Sequence, residues 1–275
     1  MKRSSQGLLR SRRARVGLVI VVGVVLVAGV APVIAPYAPS RQDLSATQLG
    51  TSSLHWLGTD ALGRDVFSRV LVGTRVAVAV GFGAAGLGLC LGVVLGLVAG
   101  VAGGWFDLVS MRAADLALAF PFLVAALFLV GVLGRSSATV VLIIGALSWP
   151  AVARLTRGAV VGVRHAHFVT AARLAGVPWH RVVRDHILPH ALGPVLAYSA
   201  VSVPAAIGAQ AALSYLGVAA RPGQPDWGQM IAEGQKYFGF HDQLWLAPSV
   251  ALVITTLGFV LLSDGVGQTL QKTAP

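Results

Sequence analysis

Uncharged apolar runs alternate with short polar segments along the whole chain, and the runs are too long for strands. They are Val16 to Ala35, Val76 to Val101, Leu116 to Leu133, Ala138 to Ala153, Ala191 to Leu216 and Leu244 to Leu262. A helix rises 1.5 Å per residue, so about 20 apolar residues cover a hydrocarbon layer of ~30 Å. The pattern predicts an all-α, polytopic membrane protein with six transmembrane helices. Between the runs lie a tail (1–15), a connection with Gly and Pro punctuation (36–75), a charged loop (164–190), a second turn-rich loop (217–243) and a short tail (263–275); residues 76–262 form a five-helix core around those loops.

Several positions inside this pattern point to particular geometry. Pro32, Pro36 and Pro39 end the first run. In the connection that follows, Gly58 and Gly63 mark turns, Asp60 is placed to cap a helix start, and Val66, Val70 and Leu71 predict a short amphipathic helix at the interface. Ala84, Gly88, Gly92, Gly96 and Gly100 recur every four residues, a small-residue face for close helix packing within the chain or with a second one. Gly103 to Asp107 reads as a brief turn before the third run, where Phe120-Pro121 predicts a kink. Ser199, Ser202 and Gln210 are polar members of the fifth run and, with Phe120, are candidates for a wet translocation path.

The segment from His165 to Ala191 is a charged island between two apolar spans. Gly176-Val177-Pro178 predicts two short helices with a break, because glycine ends a helix and proline starts the next. On the first, Phe168, Ala171, Ala172 and Ala175 share one small apolar face suited to a groove on another protein.

Composition and charge add the environment and the direction. Hydrophobic residues make up 56% and charged residues only 11%, against roughly 25% charged in soluble domains. The net charge of +11 is concentrated beside the apolar runs, a membrane-orientation pattern that argues against nucleic-acid binding. With the N-terminus inside, 14 of the 21 Lys and Arg fall in inner segments, which puts both termini and the loop 164–190 in the cytoplasm and the segments 36–75 and 217–243 outside. A cleaved signal peptide is the rival for the first run, but the run exceeds a typical signal core. The lone Cys90 forms no internal disulfide and reads as a small core residue.

Three motifs carry a resemblance. Thr170-Ala171-Ala172, Gly176 and His186-Ile187-Leu188-Pro189 resemble the EAA loop of permease subunits of ATP-binding-cassette importers, with Thr170 where the family usually has Glu and His190 where it often has Asn. His55 to Arg69, containing Gly58-Thr59-Asp60-Ala61-Leu62-Gly63-Arg64-Asp65, is similar to the outer signature of the dipeptide, oligopeptide and nickel branch, as is Asp226 to Gly234. The resemblance implies a permease subunit in a bacterial cytoplasmic membrane, working with a second homologous permease, two ATPase subunits and an extracytoplasmic substrate-binding protein. It implies that Thr170, Ala171, Ala172, Leu174, Gly176 and Val177 couple to the ATPases, which would hold the ATP and magnesium. It also implies di- or oligopeptides as cargo, with nickel or a metal complex as the alternative. The chain's Ser263, Gly267 and Gln268 depart from the family's Gly-Asp-Gly ending.

No chemistry of its own can be assembled from the sequence. The three lysines, Lys2, Lys236 and Lys272, sit in no Gly-x-x-x-x-Gly-Lys phosphate loop, and neither a His-Glu-x-x-His pair nor a Gly-x-Ser-x-Gly elbow is present. His165 and His167 have no third metal ligand nearby in sequence. A self-sufficient channel or secondary carrier is the competing class, but Asp115 and Asp264 lie at run ends and no carboxylate lies well inside a span.

Overall fold

The computed structural model describes residues 12–219 and 223–273, with side chains up to Gly265. Lys2, Arg3 and Arg10 of the basic tail, Arg221 and Pro222 of the second loop, and the side chains of Gln268 and Lys272 lie outside the described residues. The described residues form helices: α1 (Arg12–Ile34), α2 (Val66–Ala102), α3 (Gly104–Ala119), α4 (Phe122–Leu133), α5 (Ser137–Val163), α6 (His167–Leu174), α7 (Trp179–Val182), α8 (Leu188–Tyr215), α9 (Trp227–Gly234) and α10 (Gln243–Thr273). Five helical stretches, one of them running without a break from α7 through a π turn into α8, are long and apolar enough to cross a membrane. The α3–α4 pair passes the same test jointly but bends by 91°.

Glycine spacing fixes the centre of the bundle. Gly88 faces Ser148, Gly92 faces Val152, Gly96 faces Thr156 and Gly100 faces Val160, so each meets the residue sixty positions further on. A constant offset of the same sign makes α2 and α5 parallel, with the small-residue stripe used inside the chain. Added Cβ atoms would sit 2.9 Å from Ser148 at Gly88 and 2.7 Å from Val160 at Gly100, closer than packed side chains allow. Two parallel helices need a crossing between them, and α3–α4 makes it, returning the chain from the end of α2 to the start of α5. The broken pair therefore counts as one span, and the chain crosses six times.

The remaining helices wrap this pair. Helix α1 lies antiparallel to α10, Gly17 touching the Gly258 and Leu262 backbone. Buried Ala84, Val140, Ile144 and Leu213 join α2, α5 and α8, and Val21, Ile207 and Phe259 fill the side towards α1 and α10. Both termini of the α1–α10 pair thus lie at the end that carries α6 and α7, here the loop end; residues 35–65, α9 and the start of α10 form the far end.

Several helix limits differ from those read in the sequence. The interfacial helix at Val66 is the first two turns of α2, because nothing after Asp65 breaks the backbone ladder. Asp65, not Asp60, caps that helix, its carboxylate accepting from Ser68 N at 2.8 Å. The turn at 103–107 is Gly103 alone, at φ 65°, and α3 begins at once. Pro121 produces a full break rather than a kink: Phe120 before it is extended, at φ −80° and ψ 135°, as the proline ring requires. Helix α5 runs on to Val163, ten residues past the predicted span. Cys90 is exposed on α2 rather than in the core.

Candidate functional site

At the loop end, α6 ends in a glycine cap. Gly176 has φ 76°, Gly176 N donates to Arg173 O and Val177 N reaches back to Ala172 O at 3.1 Å; this pattern closes helices ending on a left-handed residue. Pro178 then caps α7, and the Arg173 guanidinium lies 5.3 Å from the Trp179 ring centroid across the hinge. The π turn at Val183–Ile187 precedes Pro189, which has no N–H to continue an ordinary helical turn.

The six residues of the expected coupling set divide by face. Val169 is fully buried with Val160, Val182 and Ile187, and Ala172 and Val177 pack against that cluster. Thr170, Ala171, Leu174 and Gly176 point outward, Leu174 with 86% of its surface exposed. Ala172 and Val177 therefore seat the knob on the ends of α2 and α5, while Leu174, Ala171 and half-covered Phe168 present it. Phe168 stacks on His190 at 4.8 Å, and His165 Nε2 takes a hydrogen bond from Arg164 Nε at 2.8 Å. Arg164 also donates to Gly100 O at 3.0 Å, fastening the loop to α2.

The far end gathers segments that the sequence places far apart. Gly58 and Gly63 adopt φ 73° and 68°, and Thr59, fully buried, accepts from Leu49 N at 2.9 Å. Asp60 closes its turn by accepting from Leu62 N and Arg64 N at 2.9 and 3.0 Å. Arg64 Nε donates to Asp60 at 2.6 Å and its terminal nitrogen to Glu233 of α9 at 2.9 Å. Asp65, besides capping α2, holds His55 Nδ1 at 2.8 Å. Helix α9 with its cap Asp226 makes up the second motif, and Trp227 Nε1 donates to Val70 O at 2.9 Å. The two far-end motifs are one structure, joined by Arg64–Glu233 and Trp227–Val70. Arg69 and Glu233 lie within the quoted motifs without an assigned role; for Arg69 the signal available was a charge in the first turns of a long apolar helix.

Between the ends, α2, α5 and α8 border a mainly apolar cavity of about 230 Å³, with Leu89, Phe122, Ile144 and Val152 on its walls and Ser148, Tyr198 and Ser202 as its hydroxyl-bearing members. Ser202 is on its wall, and Ser199 lies on an adjoining pocket beside α1 and α10. Two of the expected path residues are elsewhere. Phe120 is 68% exposed at the α3–α4 break, and Phe122 beyond the proline takes the place beside the cavity. Gln210 is 4% exposed and hydrogen-bonded to Ser214 at 3.0 Å and to Asp226; it ties α8 to the cap of α9. Asp226 accepts from Gly228 N and Gln229 N, and burial pushes its carboxyl above the ordinary value. Among the described residues, no three His, Cys, Asp or Glu side chains gather to hold a metal.

Six crossings around a parallel glycine-keyed pair, with a glycine-hinged helical knob at one end, are the architecture of an ATP-binding-cassette transporter's membrane subunit. The chain belongs to the family described as the binding-protein-dependent transport system inner membrane component, which matches residues 92–273. The N-terminal TM domain of oligopeptide transport permease C matches residues 2–51. Among curated relatives, the dipeptide transport system permease protein DppC of Alkalihalophilus pseudofirmus is 34% identical over 94% of this chain and 85% of its own. The glutathione transport system permease protein GsiD of Pectobacterium atrosepticum is 37% identical over 84% of this chain and 77% of its own. The oligopeptide transport system permease protein OppC of Bacillus subtilis is 34% identical over 93% and 84%. Among solved structures, the inward-facing MetNI methionine ABC transporter matches 75% of this chain and 97% of that one, with a TM-score of 0.61 at 16% identity.

Proposed function

We propose that this permease is one membrane subunit of an ATP-driven importer of di- or oligopeptides in a bacterial cytoplasmic membrane, with both termini and the α6–α7 knob in the cytoplasm. The observation that carries the reading is the exposed apolar knob, Leu174, Ala171 and Phe168, seated by Val169 on the ends of the two parallel helices. ATP and magnesium belong to two ATPase subunits that grip this knob; a second permease completes the passage, and a substrate-binding protein delivers cargo at the far end. The names of the relatives support peptides as cargo, and the charge bias supports the orientation.

Nucleotide-driven closure of the ATPases moves the knob and switches the passage between inward-open and outward-open states. A ligand shifts such an equilibrium only by its differential affinity for the two states, so ATP must favour one and its hydrolysis products the other. The mainly apolar cavity between α2, α5 and α8 is this chain's share of the passage, with the Ser148, Tyr198 and Ser202 oxygens placed to accept from backbone N–H groups of a peptide.

The test is Leu174→Asp, an exposed change that leaves the fold intact and places a desolvated charge in the joint. The variant inserts normally, fails to retain the ATPases on purification, and loses uptake of a labelled tripeptide. Undiminished uptake with the ATPases bound rejects the knob as the joint. Peptide uptake by the wild-type chain alone in liposomes, driven by an ion gradient without ATP, rejects the importer class.

A further inference from the structure

Charge on the α6–α7 knob is left unbalanced by its own chain. Among the acids at the loop end, Asp107 pairs with Arg157, Asp115 with Arg154 and Arg112, and Asp185 with Arg184. Asp264 is on α10, next to the contact of Gly265 with Ala14 of α1. Arg173 and Arg181 have no carboxylate partner among the described residues. Both are exposed, and they flank the Gly176-Val177-Pro178 hinge, one on α6 and one on α7. The Trp179 ring beside Arg173 offers its guanidinium no hydrogen-bond acceptor, and Leu174, the most exposed apolar side chain of the knob, is the next residue along α6.

Lipid headgroups are too distant to balance these two cations. Helix α5 runs ten residues past its apolar span, which carries the knob about 15 Å beyond the end of that span. Charges interact across water only over about 8 Å at physiological ionic strength. A protein that buries Leu174, Ala171 and Phe168 also brings its own rim against Arg173 and Arg181, and complementary rim charge speeds such an encounter whereas like charge opposes it.

We propose that the ATPase face receiving the knob carries carboxylates on both sides of its apolar groove, set against Arg173 on one side and Arg181 on the other. This rests on the knob being the ATPase joint and adds the charge of the surface that grips it.

The test is rebinding of the purified ATPase subunits of the same importer to the permease complex in nanodiscs of zwitterionic lipid, stripped of ATPase beforehand and measured over a series of sodium chloride concentrations. Wild-type affinity is expected to fall as salt rises. Arg181→Gln, an exposed change with no contact inside the chain, weakens binding at low salt by about threefold to fivefold, the scale of an exposed ion pair, mainly by slowing association. Combining it with Arg173→Gln gives about tenfold and flattens the salt dependence, and the Arg173→Glu, Arg181→Glu pair reverses it. Salt-independent binding of wild type, or wild-type affinity in the double Gln variant, overturns the acidic rim. So does an effect of the variants that appears only when anionic lipid is added, since the arginines then serve the headgroups. The joint is checked separately by Leu174→Asp: salt-independent binding that this variant abolishes leaves the joint standing and rejects only the rim, whereas full binding by Leu174→Asp rejects both.

Discussion

Gln210 of α8 donates its side-chain amide to the carboxylate of Asp226, the residue that caps α9. The pair sits where a membrane helix meets the far-end loop, so one contact settles both the rotation of α8 and the start of α9.

Asp226 gives the far end a pH dependence. Burial raises its folded pKa above the ordinary value of 3.8, so the folded state holds the proton more tightly than the unfolded chain. Its favourable contribution is fully present at or below the unfolded value and is lost as pH rises through the raised folded pKa. Asp226→Asn keeps an acceptor for Gly228 N and Gln229 N once the Gln210 amide turns over. In detergent melting scans, the stability of wild type relative to this variant is expected to fall as pH rises above about 4. A difference that grows with pH contradicts the assignment.

The keyed α2–α5 joint predicts a sharp contrast on one helix. At Gly96 an added Cβ would meet the Ala153 backbone and lie 2.7 Å from Thr156, whereas at Gly86 nothing lies within 4 Å. Gly96→Val should destabilise by about 1–3 kcal/mol or prevent insertion, the range for overpacked interiors. Gly86→Ala should be neutral or slightly stabilising. Fluorescence size-exclusion melting of the two variants makes the comparison.

Gly176 tests backbone conformation apart from space. Its φ is 76° with open surroundings, so an added side chain clashes with nothing but is strained by about 1–2 kcal/mol in the left-handed region. Gly176→Ala should reduce ATPase retention and uptake, and Gly176→Asn should reduce them less, since Asn visits that region more readily. Equal effects of Ala and Asn point to a need for bare backbone at the joint instead.

The cap of α2 is the last test. Asp65→Ala removes both the bond to Ser68 N and the partner of His55, and is expected to lower stability by about 1–2 kcal/mol. Asp65→Asn keeps the cap and should recover most of the loss in thermal melts.

What the sequence revealed depended on whether a signal was local. The six crossings, the Gly176 hinge and the turns at Gly58 and Gly63 follow from runs and punctuation, and the structure contains each of them. The four-residue stripe of α2 displayed a packing face but not its partner, because Ser148, Val152, Thr156 and Val160 lie sixty residues away and, although spaced by four as well, are of mixed residue type. Gln210 read as a passage residue since its partner Asp226 belongs to another segment. The partners of Arg69 are hidden for the same reason: only the fold brings Glu233 of α9 beside it. Pro121 was visible, but the angle of the break was not, since the bend depends on where α4 finds packing against α5 and α8.

Helix α2 spans 37 residues, about 55 Å at the helical rise, and its glycines lock it to α5 without room to slide. The two behave as a single rod reaching from the Arg164 fastening to the Arg64 cluster. Under the proposed coupling, torque applied at the knob would reach the opposite rim through this rod, and yielding would fall to the bent α3–α4 limb or to the helices outside the pair.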